Sequence, residues 1–244
     1  MIYIEQPPFL PWLGFCEALI GCSTVALYDT VQYTERGWQN RNRIKTAHGV
    51  TWITVPVTRR NGQLLRETRI AESFDPASML KTLRLAYART PHLDEALQAI
   101  APPLSAGHRW LVDLNLDLVT HLAVALGAQT TLRLTSEMPH TNTADKNERL
   151  VQICAHAEEQ QLWAGEGTRQ YLDTSALAQH GITVVWNEFA ARHPHYVQAW
   201  PRQGFKPGLS VIDAACAVGW AGLAVMLRAA FTSHRSCAPL GEPR

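Results

Sequence analysis

The residues best suited to chemistry fall in two polar, aromatic-rich segments near the start of the chain. Residues 6–15 read QPPFLPWLGF, and residues 29–45 read DTVQYTERGWQNRNRIK. In the second, Arg41 and Arg43 alternate with Asn40 and Asn42. On a strand, that alternation places both arginines on one face and both asparagines on the other. A guanidinium is a planar fork that grips carboxylate or phosphate. The arginine face, with Gln32, Tyr33 and Trp38 beside it, is therefore expected to bind an anionic substrate; the competing reading is a solvated edge strand with surface ion pairs. Asp29 is expected either to orient the arginines or to act as a base. Gln6 offers both an amide donor and an acceptor, and Trp12 suits core and stacking platform equally.

Other groups could add chemistry. His140 precedes a helix whose first turns carry Lys146 and Arg149. A histidine can serve as general base near neutral pH, against a bland reading as a surface loop residue. The two cations could receive an anionic group or lie on a solvated face. Cys16 falls in the first turn of a helix expected from near Gly14, where the dipole would lower a thiol pKa. That makes it a candidate acyl-accepting nucleophile, against the alternative of a buried core cysteine. His193 and His195 flank Pro194, but no further ligand has convincing spacing nearby, so no metal site is expected. No nucleophile elbow, phosphate-binding loop or HExxH motif occurs, and nothing calls for a cofactor.

The elements that must position these groups follow from apolar patterning. Residues 1–4, 24–28 and 50–57 are short, β-prone runs. Asp75-Pro76 opens a helix as N-cap and first helical residue. A second helix over 91–100 should be broken by Pro102-Pro103. Leucines 111, 114, 118, 122 and 126 recur at helical spacing and stop at Gly127, so 75–127 reads as a helical insert. Strand-like segments 130–135, 161–164 and 182–186 then alternate with a helix from Asp145. This order favours an α/β fold with a Rossmann-like, mostly parallel sheet and a helical C-terminus. Ligands of such sheets bind at the carboxyl ends of the strands. The aromatic loop over 187–207 is long enough to suggest function.

Composition bounds the rest. The 244 residues are 46% apolar and 18% charged, with a net charge of +1. That suits one globular α/β domain over 1–234 with a disordered tail over 235–244, and it gives no general attraction to DNA or acidic membranes. Five cysteines without paired spacing suit free thiols in a cytoplasmic protein without a signal peptide. Residues 209–231 are mostly apolar and about long enough to span a bilayer, but Asp213, Arg228, Gly219 and Gly222 favour two buried helices meeting at a glycine kink.

QPPFLPWLGF, YDTVQYTERGWQNRNRIKT (28–46), GVTWITVPV (49–57), KNERLVQIC (146–154), HYVQ (195–198) and FKPGLSVID (205–213) together resemble the WbqC-like family of bacterial proteins. The resemblance runs to about Gly219. It implies a role in clusters for O-antigen, other surface glycans or natural products, with transfer of glycine or another aminoacyl group to an amino sugar as the suggested activity. It also implies that Tyr196, Gln198, Ser210 and Asp213 line a pocket, Ser210 alternatively capping its helix. The expected function is an acyl- or aminoacyl-transferase acting on an amine, with a small-molecule substrate. The alternatives are a non-catalytic module that binds an aminoacyl-tRNA or carrier protein, and a nucleotide-dependent ligase. A fainter likeness to nucleotidyltransferases with a His-x-Gly-His motif rests on Trp12-Leu13-Gly14-Phe15, in which both histidines are replaced. The ligase reading would need phosphates beside Gly14.

Overall fold

The computed structural model describes residues 1–237 except 142 and 144. In chain order the first elements are β1 (Ile2–Glu5), α1 (Leu13–Gly21), β2 (Thr24–Leu27), β3 (Arg41–Thr46), β4 (Gly49–Thr54), β5 (Val57–Thr58) and β6 (Arg69–Ile70). The helices α2 (Pro76–Ala86), α3 (Leu93–Ser105) and α4 (Leu111–Ala125) follow, then β7 (Thr131–Leu134) and α5 (Lys146–His156). The chain closes with β8 (Gln161–Gly165), α6 (Thr174–Gln179), β9 (Thr183–Asn187) and α7 (Val211–Cys237).

Five strands form one sheet in the order β7-β2-β1-β8-β9, and every neighbouring pair is parallel. Ile2 to Glu5 stand opposite Thr24 to Leu27, which stand opposite Thr131 to Leu134. A parallel sheet is covered on both faces, so its strands are apolar on both. Tyr3, Val25 and Trp163 accordingly enter one core with α1, α3, α4 and α7, whereas Ile2, Ala26 and Leu162 enter a second with α5 and α6. The chain steps outward from β1 to β2 and β7, then returns to the other side of β1 for β8 and β9. The strand order thus reverses between β1 and β8.

The helical insert forms as its sequence dictates, with Asp75 accepting hydrogen bonds from the backbone N–H of Ala77 at 3.0 Å and Ser78 at 3.2 Å. Pro102 and Pro103 do not break α3, which runs on to Ser105. A proline's fixed φ suits a helix, and burial of Pro103 and Leu104 anchors this last turn. The 50–57 run is divided between β4 and the short β5. β4 pairs antiparallel with β3, and β5 with β6, both outside the main sheet. Pro56, which has no N–H for a ladder, stands between β4 and β5.

Helix α7 breaks at Gly219, where φ is 72° and ψ is 166°. A side chain there would meet His92 Nδ1 at 2.9 Å and Glu95 Oε2 at 3.1 Å, so both the backbone and the close approach of α3 require glycine. By length and composition, Val211–His234 could cross a membrane, but here it packs against α1 and α3. The helix continues to Cys237, into the segment expected to be a tail; residues 238–244 lie outside the described residues.

Candidate functional site

The loop from Gln6 to Trp12 leaves β1 at its carboxyl end and turns sharply enough to hold Leu10 at φ 40°. A non-glycine residue in that region is strained, and three buried side chains hold the turn. Asn42 Nδ2 donates to the carbonyls of Leu10 at 2.7 Å and Phe9 at 3.3 Å. Asn115 Nδ2, from α4, donates to Pro7 O at 2.8 Å and Gln39 O at 2.7 Å. Ser210 Oγ donates to Leu10 O at 2.9 Å, and Val211 N donates to Pro11 O at 2.7 Å. The loop is thereby fixed to β3, α4 and the start of α7.

Two cavities open where this loop leaves the sheet, and they share Glu5 and Gln6 as lining residues. The first, about 350 Å³, is walled by Pro8, Trp12, Phe15 and Trp38, with Gln39 and Arg43 as its other polar side chains. The second, about 320 Å³, lies between the ends of β1 and β8 and includes Tyr28, Lys146, Arg149, Thr168 and Tyr171. The crevice outside the carboxyl ends of the strands, at the point of strand reversal, is where open α/β sheets bind ligands.

Glu5 ends β1 at the meeting point of the two cavities. Tyr3 Oη donates to its Oε2 at 3.2 Å, and the Gln6 N–H donates to its Oε1 at 3.0 Å. The side chain is exposed to solvent where the cavities open, and the protein packed around the rest of it raises its pKa above the ordinary glutamate value. Both hydrogen bonds pull the other way and are outweighed. Arg149 donates through Nε to Thr143 O at 2.8 Å and through a terminal nitrogen to Tyr28 Oη, which fixes its guanidinium on the cavity wall. Lys146 stands 5.8 Å from the Tyr171 ring centre. The second cavity therefore combines a carboxylate of raised pKa with two cations.

The structure separates the anticipated site residues. Gln6, Trp12, Trp38, Arg43, Lys146 and Arg149 all line the two cavities. Arg41 lies beside them on β3, its guanidinium 4.0 Å from the Trp52 ring centre, while Gln32 and Tyr33 line a separate surface hollow with Arg59 and Arg60. The arginine and asparagine faces of β3 separate as expected, with Asn42 buried and Arg41 and Arg43 half-buried. Asn40 and Asn42 are structural: Asn40 Nδ2 donates to Val55 O at 2.9 Å.

The two bases expected from sequence lie outside both cavities. Asp29 is buried and accepts from Thr135 Oγ1 at 3.0 Å and the Ser136 N–H at 2.9 Å, so it ties β2 to the segment after β7 instead of orienting the arginines. His140 is exposed on a loop at φ 62°. Cys16 is fully buried, and burial raises its pKa instead of the helix dipole lowering it, which removes it as a nucleophile. Cys154 and Cys216 are likewise buried and pushed up to about 12. Among the described residues, no three His, Cys, Asp or Glu side chains come together as a metal site would need.

Tyr196, Gln198 and Asp213 form a buried polar cluster and do not line either cavity. Tyr196 Oη donates to Asp213 Oδ2 at 2.9 Å, and Lys45 Nζ donates to Gly204 O at 2.8 Å and Gln198 Oε1 at 3.2 Å. Burial raises the Asp213 pKa to about 6, against the hydrogen bonds from Tyr196 and Tyr87 and the charge of Lys45. Ser210 accepts from the Ile212 N–H at 3.4 Å, the helix-capping role weighed for it. Gly14 also has a structural explanation, since a Cβ there would lie 2.4 Å from the Trp12 indole. Sequence reasoning missed Glu5, Gln39, Tyr28 and Tyr171. Only the pairing of β1 with β8 reveals Glu5 as central.

A five-stranded parallel sheet with a crevice at its point of strand reversal defines an α/β protein of Rossmann-like architecture. This chain belongs to the WbqC-like protein family, which matches residues 6–225 and so extends past Gly219 into the second half of α7. Uncharacterized protein Rv1507c of Mycobacterium tuberculosis (strain ATCC 25618 / H37Rv) is 33% identical over 221 residues, covering 89% of this chain and 94% of that protein. No solved structure matches the chain.

Proposed function

We propose that this protein is a transferase that moves an acyl or aminoacyl group of the glycine type onto an amine acceptor, in cytoplasmic biosynthesis of a glycan or natural product. The observation that carries this reading is Glu5, an exposed carboxylate of raised pKa that lines both cavities. A base with its pKa moved towards neutrality is better matched to taking a proton from an amine. In the proposed reaction the amine nitrogen attacks the acyl carbonyl of an ester or thioester donor and forms the C–N bond. Glu5 takes the amine proton and returns it to the departing oxygen or sulfur as that bond breaks. Lys146 and Arg149 face the same cavity and are placed to hold negative charge on the donor or on the developing oxyanion.

The test is amide formation, followed by mass spectrometry, with aminoacyl-tRNA, aminoacyl-adenylate and acyl-coenzyme A donors against an amino-sugar panel. The expected result is an amide from at least one pair, with kcat/KM lowered roughly tenfold or more by Lys146→Ala, the loss of one charged contact. Amide formation from none of the pairs, or an unchanged Lys146→Ala enzyme, overturns the reading.

A further inference from the structure

The first cavity has features that acyl transfer alone does not require. Its walls are rings (Trp12, Phe15 and Trp38), and Gln39 Nε2 is hydrogen-bonded to Gln6 Oε1 at its edge. Gln39 is 7% exposed, and its Oε1 has no hydrogen-bond partner. A Cβ on Gly37 would lie 2.0 Å from that oxygen, so glycine at 37 is what lets the amide sit there. Arg43 spans from Gly208 O, to which it donates at 2.9 Å, to the Trp38 ring, 5.7 Å away. Trp38 and Trp52 remain 48% and 42% exposed, with ring centres 5.2 Å apart, and continue the aromatic surface outward beside Arg41.

We infer that this cavity is a nucleotide slot and that one of the two substrates enters as a nucleotide conjugate. A nucleobase has a flat face that stacks on aromatic rings and an edge of donors and acceptors that side-chain amides can read. Its phosphates meet Arg43, with Arg41 next along β3, and the volume suits a small-molecule ligand. Charge selects this ligand over a plain sugar, because Arg43, Lys146 and Arg149 line the joined cavities against the single carboxylate Glu5. The net charge of +1 provides no broad footprint for an RNA strand. Placing the reactive end of the conjugate at Glu5 rests on the transferase reading; the slot itself does not.

The test is binding of nucleoside diphosphates with five different bases, by calorimetry and tryptophan fluorescence, with pyrophosphate and an RNA ending in CCA as controls. At least one diphosphate should bind and quench fluorescence, at least tenfold more tightly than pyrophosphate. Trp38→Ala should weaken that binding roughly tenfold, as loss of one stacking partner does. Because Trp38 is half exposed, this variant should keep the wild-type circular dichroism spectrum, and Arg43→Lys supplies a second, milder variant that should also bind more weakly. No binding of any diphosphate, equal binding of pyrophosphate, diphosphate affinity unchanged in both variants, or binding of the RNA alone overturns the inference. Nucleotide binding without amide formation would remove the transferase reading and leave the slot, and the reverse would remove only the slot.

Discussion

Asn42 and Arg43 are neighbours in one motif and do opposite jobs. The period of two in β3 separates them into faces, and that much is legible in NRNR. Which face turns inward is not, because the answer depends on the Gln6–Trp12 loop arriving from the far side. Asn42 holds two carbonyls of that loop, and its own Oδ1 accepts from the Arg43 N–H at 2.7 Å. Replacing it takes the side-chain donor from Phe9 O and the acceptor from the Arg43 N–H and leaves Leu10 O with Ser210 Oγ, at roughly 1–3 kcal/mol for each buried group left unpaired. Asn42→Ala is therefore expected to lower unfolding free energy by about 2 kcal/mol or more in urea titrations at unchanged m-value. A loss below about 0.5 kcal/mol, the range of an ordinary surface change, would mean the asparagine does not hold the loop. Glu5 shows the opposite limit. It ends an apolar run as an ordinary polar residue, and its importance appears only when β8, some 160 positions later, is laid beside it.

At the scale of elements, boundaries came through where local chemistry sets them. Asp75-Pro76 punctuates the chain through its side chains, and Gly127 and Gly219 through the positive φ that glycine adopts freely. The failures have tertiary causes: the Pro102-Pro103 turn is kept helical by packing, and the 50–57 run is divided because β3 captures its first part as a hairpin. Asp213, in the first turn of α7, belongs to the buried cluster under the 196–206 loop and not to the cavity lining that its sequence context suggests. Its pKa of about 6 lies above the usual aspartate value, so between roughly pH 4 and 6 the folded state holds a proton that the unfolded chain releases. Its contribution is fully present below the unfolded pKa and is lost as pH rises through about 6, by about 3 kcal/mol for a shift of this size. Asp213→Asn should remove that fall. Because Glu5 and Glu17 are also raised, the quantity to read is wild-type minus variant stability across this range. A difference that stays flat, or that rises with pH, would contradict the buried, uphill-ionising aspartate.

At the scale of the whole molecule, the alternation of strand and helix made a parallel α/β sheet legible, and two cavities open at the carboxyl ends of its strands. The order β7-β2-β1-β8-β9 was not legible, because no local residue pattern states on which side of β1 the chain returns. That order gathers Gln6, Trp12, Arg43, Lys146 and Arg149 around Glu5 and leaves Asp29 and His140 outside. In the proposed reaction this crevice does the chemistry with Glu5 as its base. Its most direct test is the single-turnover rate of amide formation by wild type, Glu5→Gln and His140→Ala, each with its fold verified by circular dichroism. Loss of a general base predicts a fall of roughly 10²-fold or more in Glu5→Gln, with His140→Ala within about twofold of wild type, the result for a residue outside the crevice. A fully active Glu5→Gln enzyme, or a loss confined to His140→Ala, would rule out Glu5 as the base.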